Sequence, residues 1–499
     1  MTEHPEPELA ERAAERHVVV VGGGIAGLVA ARECAKVGMR VTVLEGADEL
    51  GGAVRRAEID GVRLDAGAES YATRGGHVRK LVAELGLADR VQTPARGGAW
   101  LAGVPGQEPS PLPKGGILGI PANPFIDDVR QIIGWRGAWR AYVDRLRPPL
   151  TIGHERSLGR LVRSRMGQRV LDRLVAPVVT GVYSAHPDDV DVDVAAPGLN
   201  AALTRVGSLS GAVDALTGQQ QSARKGKAPG SAVEGLVGGM STLVDALHAD
   251  LAKLGGVVRT GVEVESLVRA GDDWTVVVVS RADAEEPDAE PSDSESEPEQ
   301  VSADAVIVAT AEGVARTLLD GHVSGLGDVG ASPEIEIVTL LLDAPALDVA
   351  PRGTGVLTVP NSFTAKALTH ATAKWAWLRE AAGARHVVRV SFGSQGEPAA
   401  TASLDDDAAA QLALTQASAM LGVPLSAAQL VGAHRARFTQ SQPASLIGAT
   451  ERRDAARAAV YAVPGLAVVG AWLAGTGLAQ VVPDATAEAD RLRRHLLWE

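Results

Sequence analysis

Gly22, Gly24 and Gly27 stand at the spacing G-x-G-x-x-G, with Gly23, Ile25 and Ala26 between them. Glycines so spaced perform one recognisable task. The first permits a tight turn, the second lets backbone approach a pyrophosphate, and the third lets a helix pack closely on a strand. Glu45 follows 21 residues after Gly24, next to Gly46. A carboxylate at that distance accepts hydrogen bonds from ribose hydroxyls and favours an adenosine ribose without a 2′-phosphate. A second glycine pair, Gly51-Gly52, comes next with Ala53, and Leu64–Ser70 (LDAGAES) adds Gly67, Ala68, Glu69 and Ser70. Other chemistry is thinly provided for. The 11 histidines fall at no metal-ligand spacing, neither HExxH nor GxSxG occurs, and the single Cys34 excludes a disulfide framework and a thiolate-rich metal site.

The first glycine loop needs a strand before it and a helix after it. His17–Val21 (HVVVV) is a β-branched run, Leu28–Val37 carries helix-compatible Ala and Leu, and Arg40–Glu45 (RVTVLE) reads as a second strand. That is a βαβ unit, whose helix N-terminus offers free N–H groups to phosphate. Cys34 falls on this helix and reads as a small buried packer. Far downstream, Leu466–Gly470 reads as a strand, Ala471–Gly477 (AWLAGTG) as a turn, and Leu478 onward as a helix. The uncharged stretch 458–483 matches a bilayer in length, but Pro464, Gly465, Gly470, Gly475, Gly477 and Pro483 predict a buried strand, turn and helix start instead. A nicotinamide-dependent reductase needs a second nucleotide loop, and none is present. Gly238-Gly239 lacks a third glycine, and Gly255-Gly256 leads into a strand.

Composition sets the frame around these loops. A chain of 499 residues exceeds one hydrophobic core, and 45% hydrophobic residues exclude a disordered chain. Residues 281–300 hold nine acids and one Arg, a local −8 out of a total of −13, so the remainder carries only −5. Binding of nucleic acid through bulk charge is excluded by that balance. The acidic run reads as a solvated hairpin insertion between Trp274–Ser280 and Ala305–Thr310, and residues 1–16 read as a loose tail without a signal-peptide core. Residues 126–175 read as helical. Between Arg130 and Arg173 lie eleven arginines, either solvated heads on buried stems or a landing surface for a polyanionic substrate, an anionic lipid surface or an acidic partner. Gly207–Gly230 reads as a mobile connection.

Glycine loop, ribose acid, second glycine pair and Asp-Ala-Gly element together resemble the glutathione-reductase-like FAD family that contains the amine oxidases. Further segments resemble the protoporphyrinogen/coproporphyrinogen oxidase family, and they run in order along the chain. They are Ala176–Asp188 (APVVTGVYSAHPD), Val237–Leu243 (VGGMSTL), Lys374-Trp375 with Val387–Gly393 (VVRVSFG), Arg437–Gly448 (RFTQSQPASLIG) and Gly470–Leu478. Departures are Glu49 in place of an Arg, Phe438 for Trp, Ala444-Ser445 for Gln-Tyr, Ala449 for His, and Gly75 where Lys is often found.

The resemblance implies an α/β fold: a glutathione-reductase-like FAD-binding Rossmann domain, an α+β substrate domain and an inserted helical domain. The implied segments are 17–70, 231–325 and 455–499 for FAD, 71–99 and 326–454 for substrate, and 100–230 for the helices, with 1–16 and 281–300 flexible. It implies FAD contacts from Gly22, Gly23, Gly24, Ile25, Ala26, Gly27, Glu45, Gly46, Gly51, Gly52, Ala53, Gly67, Ala68, Glu69, Ser70, Val264, Phe438, Thr476, Gly477 and Leu478. Substrate contact is expected from Tyr71, Arg74, Tyr183, Lys374 and Arg389. The implied reaction is oxygen-dependent oxidation of coproporphyrinogen III in haem biosynthesis, in the cytoplasm, with hydrogen peroxide released and the product available to a ferrochelatase. No side-chain acid or base is expected to carry it, because the macrocycle gains aromaticity and its own N–H groups can lose protons. Protoporphyrinogen oxidase, a flavin amine oxidase, a carotenoid desaturase and a non-enzymatic porphyrin-binding protein remain as alternatives.

Overall fold

A computed structural model of the chain describes residues 7–147, 155–223, 232–280, 298–327, 332–439 and 445–498. Five parallel strands form one sheet in the order Val257–Arg259, Arg40–Leu44, His17–Val21, Ala305–Val308, Leu466–Val468. Val18 lies opposite both Val41 and Ala305, and Val306 lies opposite Leu466. Parallel strands are apolar on both faces and need cover on both. Val18, Val20, Val41, Val43 and Ile307 share one core with the helices Ile25–Ala35, Ser241–Lys253 and Leu478–Trp498. Val19, Val21, Val306, Val308 and Val468 share a second core with Trp274, Val276 and Val278 of an overlying antiparallel sheet. Only one strand separates the N-terminal strand from the C-terminal one, so the two distant glycine-rich turns emerge side by side.

Small side chains make the closest helix contact possible. Ala30, Ala31 and Cys34 from helix Ile25–Ala35, and Ala485 and Ala489 from the terminal helix, are all fully buried in one cluster. Burial pushes the Cys34 thiol up to about 12, which leaves it an inert packer. The uncharged stretch 458–483 forms the strand Leu466–Val468, the short helix Ala471–Ala474 and the start of the terminal helix. No helix among the described residues is long and apolar enough to cross a membrane.

A seven-stranded sheet stands beside the first, in the order Leu430–Thr439, Glu334–Leu342, His386–Phe392, Ala367–His370, Gly355–Thr358, Ala99–Ala102, Ser110–Pro111. Its two faces have different partners. Val338, Leu340, Val388, Val390 and Phe392 pack beneath helix Asp406–Leu421. The opposite face turns Leu341, Val387 and Ala436 onto the hairpin of Arg56–Ile59 and Val62–Asp65, the hairpin that leads into Ala66–Ser70. This second face looks toward the glycine loops. Helices between Asp127 and Ala223 enclose a further core.

Several expectations are corrected here. Pro7–Glu15, assigned to a loose tail, forms a helix whose Ala13 is buried against the core of the five-stranded sheet. Glu299 and Gln300, assigned to the flexible acidic run, begin a strand, and Glu299 receives both Arg259 nitrogens at 2.6 Å; residues 281–297 lie outside the described residues. Gly207–Gly230, assigned to a mobile connection, contains helix Leu209–Ala223, while 224–230 lie outside the described residues. The cause is a buried acid. Asp144 accepts from Leu209 N at 2.6 Å at the head of that helix and pairs with Arg165 at 2.5 Å. Ala99–Ala102 joins the seven-stranded sheet, so the boundary expected at residue 100 cuts through a strand.

Most of the described arginines between 130 and 173 are consumed internally rather than displayed. Arg169 and Arg173 donate to the carbonyls of Ile133 and Ile132, Arg163 pairs with Asp188, and Arg156 pairs with Asp191 and Glu451. This favours stitching between helices over a single landing surface.

Candidate active site

Steric limits explain the first glycine loop. Gly22 has φ +107, and a Cβ there meets Ala309 O at 2.8 Å; a Cβ on Gly27 meets Gly22 O at 2.0 Å. A Cβ on Gly24 meets nothing within 4 Å, so the loop is closed on the sheet side and open on the other. The first helical hydrogen bond runs from Leu28 N to Gly24 O, which leaves the N–H groups of Ile25, Ala26 and Gly27 facing out of the helix end. Glu45 closes the loop from the next strand, accepting from Gly23 N at 2.6 Å and Ala47 N at 2.9 Å. The adjacent strand Val262–Ala270 starts on this same segment, through Val262 N to Glu45 O, and carries Val264 at a bulge two residues on.

The second glycine pair seats directly against the first loop. Gly51 N donates to Gly23 O, and Gly51 bridges Gly24 in parallel register. Ala53 O then accepts from Ala68 N at 3.0 Å, and Gly67 lies so close that a Cβ on it reaches Ala53 O at 2.1 Å. Phe438 completes the contact from the seven-stranded sheet, with Cζ at 3.0 Å from that same position. From the other side comes the terminal turn. Gly475 and Gly477 adopt φ +100 and +109, Thr476 is exposed between them, and Leu478 packs with Ala68 against one core. Gly46 is exposed beside Glu45, and Ser70 is half-buried at the end of the Ala66–Ser70 stretch.

An ion triad holds that stretch. Glu69 receives Lys374 Nζ on Oε1 and Arg389 Nη1 on Oε2 at 3.0 Å, while Arg389 Nη2 donates to the carbonyls of Ala66 and Gly67. Burial by itself raises the Glu69 carboxyl, but Lys374 and Arg389 outweigh it and hold the group at about 2. Asp65, just upstream, accepts from Met240 N at 2.8 Å, and burial pushes it up to about 7 against the pull of Arg389.

Three residues expected to touch substrate are corrected by this geometry. Arg389 is 6% exposed and spends its charge on Glu69. Lys374 does the same, beside the buried Trp375. Tyr71 is 2% exposed and donates its hydroxyl to Glu234 at 2.9 Å; Glu234 is itself paired with Arg79. Arg74 lies within electrostatic reach of Tyr183. Arg74 is exposed, Tyr183 is half-buried at the end of helix Ala176–Tyr183, and the arginine charge opposes the rise that burial imposes on the phenol pKa. Beside them lies Lys366, which no spacing in the sequence marks; its ammonium donates to Ser184 Oγ at 2.6 Å. Residues 440–444, within the segment Arg437–Gly448, lie outside the described residues.

A glycine turn at a helix head, a carboxylate at the tip of the second strand and a second glycine pair against the first define a dinucleotide-binding flavoprotein of the glutathione-reductase type. The open side of Gly24 and the outward N–H groups fit a pyrophosphate, and Glu45 fits a ribose. The sequence profile of the family "Flavin containing amine oxidoreductase" matches residues 25–492, and the chain belongs to this family. It is 30% identical to coproporphyrinogen III oxidase of Mycobacterium bovis, over 94% of this chain and 96% of that one. It is 24% identical to coproporphyrinogen III oxidase of Bacillus subtilis, over 95% and 97%. A solved structure from Exiguobacterium sp. 255-15 has the same fold, with TM-score 0.78 at 22% identity over 96% of this chain and 99% of that one. FAD is the cofactor of the family.

Glu45 provides a direct check on cofactor retention. Glu45→Ala removes a charged hydrogen-bond partner worth about 1.5–3 kcal/mol, so FAD is expected to leave the variant on dialysis that the parent protein survives. Equal flavin content in the two proteins after dialysis refutes the role.

Proposed function

We propose that this protein is an FAD-dependent oxidase that converts coproporphyrinogen III to coproporphyrin III in haem biosynthesis, with molecular oxygen as acceptor and hydrogen peroxide as by-product. The observation that carries the reading is the likeness to oxidases of that name over nearly the whole chain, with both glycine loops and the terminal turn in place. Bound FAD would accept the electrons, six in all as three two-electron steps, and pass each pair to oxygen. The chain's own part is binding and exclusion of water. Gly22–Gly27 and Glu45 would hold the pyrophosphate and ribose. Gly51–Ala53, Gly67–Ser70, Val264, Phe438 and the turn Thr476–Leu478 would border the rest of the cofactor, with the dipole of the terminal helix favouring negative charge at its head. Lys374 and Arg389 keep the Ala66–Glu69 wall rigid, which preserves the distance between cofactor and substrate. Arg74 and Tyr183 would meet the substrate from the helical side, a guanidinium suiting a carboxylate. The reaction belongs to the cytoplasm in this reading, and a ferrochelatase would take the porphyrin.

One observation favours protoporphyrinogen as the second reading. Two of the cations expected to meet carboxylates are spent on Glu69, which leaves fewer for a tetracarboxylate than for a dicarboxylate. Comparing kcat/KM for the two porphyrinogens under air, by the appearance of porphyrin fluorescence, separates them. A larger value for coproporphyrinogen III supports the first reading, and a larger value for protoporphyrinogen IX replaces it with the second. Turnover of neither, with peroxide formed from an amine, overturns both.

A further inference from the structure

We propose that Lys366, presented by Ser184, is the anchor for a carboxylate of the substrate; this rests on the porphyrinogen reading above and names a residue that does its recognition. The lysine is half-buried just ahead of strand Ala367–His370, and the one polar contact of its ammonium among the described residues is Ser184 Oγ at 2.6 Å. No carboxylate of the described residues pairs with it. Other buried or partly buried cations behave differently: Lys374 and Arg389 share Glu69, and Arg435 pairs with Glu336. An ammonium taken out of water without an anion destabilises the fold, and an arriving carboxylate offsets that cost.

Its position suits the task. Ser184 ends helix Ala176–Tyr183 in the left-handed region, φ 53, and is fixed by Ser184 N to Thr180 O at 3.0 Å and Gln395 N to Ser184 O at 2.7 Å. That helix lies on the sheet face that meets the cofactor-side loop. A Cβ on Gly181 touches Leu357 at 2.6 Å, Leu357 pairs with Ala367, and Ala367 pairs with Ser391, on the same face as Arg389 and Phe438. Tyr183, the neighbour of Ser184, feels the charge of Arg74. Lys366 therefore reaches the end of the helix that borders the proposed site, with Arg74 in electrostatic reach of that end, and neither has an acidic partner among the described residues. Burial lowers the Lys366 ammonium to about 7, and a carboxylate arriving beside it would favour the charged form again.

The test is Lys366→Met, which keeps the length of the side chain and removes the charge. For coproporphyrinogen III, KM is expected to rise about ten- to a hundredfold, the loss of one charge-assisted hydrogen bond, with kcat within about twofold. Tm is expected to hold or rise, since a partly buried amine without an acid partner among the described residues has gone. A second readout needs no turnover: fluorescence titration with coproporphyrin III and with its tetramethyl ester. The parent protein is expected to prefer the free acid, and Lys366→Met to lose most of that preference. An unchanged KM with an unchanged acid preference overturns the assignment, as does a fall in kcat and Tm at constant KM, which marks a structural lysine. A parent protein that neither oxidises the porphyrinogen nor binds the porphyrin overturns the functional reading itself, and the assignment with it.

Discussion

Glu69→Ala is expected to lower the unfolding free energy by about 3–5 kcal/mol, the cost of removing one partner from a buried ion pair. The substitution leaves two cations facing each other with nothing between them. Arg389 is 6% exposed and Lys374 has only 19% of its side chain accessible, so bulk water solvates them poorly once the carboxylate is gone. The Ala66–Gly67 carbonyls would retain one arginine nitrogen, and the wall beside the cofactor would loosen. The urea midpoint of parent and variant reads this, with an equal slope showing that the same transition is being compared. Adding Lys374→Met to Glu69→Ala is expected to recover part of the loss, because one orphaned charge is gone and the two sites are coupled. A midpoint unchanged by Glu69→Ala contradicts the triad.

Gly24→Val is expected to produce a folded protein without FAD. Gly24 has ordinary extended backbone, φ −70 and ψ 174, which valine adopts without strain. A Cβ there meets no protein atom within 4 Å, so the added side chain is expected to fill the open side of the loop where a pyrophosphate would lie. Gly22→Val serves as the contrast, since φ +107 and the Ala309 carbonyl at 2.8 Å make that variant fail to fold. Circular dichroism and the visible flavin spectrum together separate the cases. Native circular dichroism with no flavin is the expected result for Gly24→Val, and parent-level flavin content contradicts the placement of the phosphate.

The nucleotide half of the protein was legible because its signals are local and carry their own mechanism. His17–Val21, Gly22–Gly27 and Glu45 announce strand, turn and ribose acid within a short span. The terminal turn was joined to them through the family resemblance, since nothing local in Leu466–Leu478 names the strand it lies beside. Contacts that depend on distant partners were not legible. Lys374 and Arg389 have the chemistry of carboxylate ligands, but the carboxylate they bind is Glu69, 305 and 320 residues away. Helix Leu209–Ala223 carries a loop-like Gly and Ser content, and the acid that caps it, Asp144, is 65 residues upstream of its first residue. Pro7–Glu15 hides its helix in a charged segment where, among the described residues, Leu9 and Ala13 supply the buried stripe. Lys366 gave no signal, since a lone lysine ahead of a strand is ordinary until it is seen to have no acid beside it among the described residues.

The most direct measurement is anaerobic mixing of the flavin-loaded protein with coproporphyrinogen III, followed by admission of air. Bleaching of the visible flavin band on mixing, then its return with porphyrin fluorescence and peroxide, is the expected result. A flavin band that stays oxidised under substrate, in protein that holds its FAD, contradicts the account.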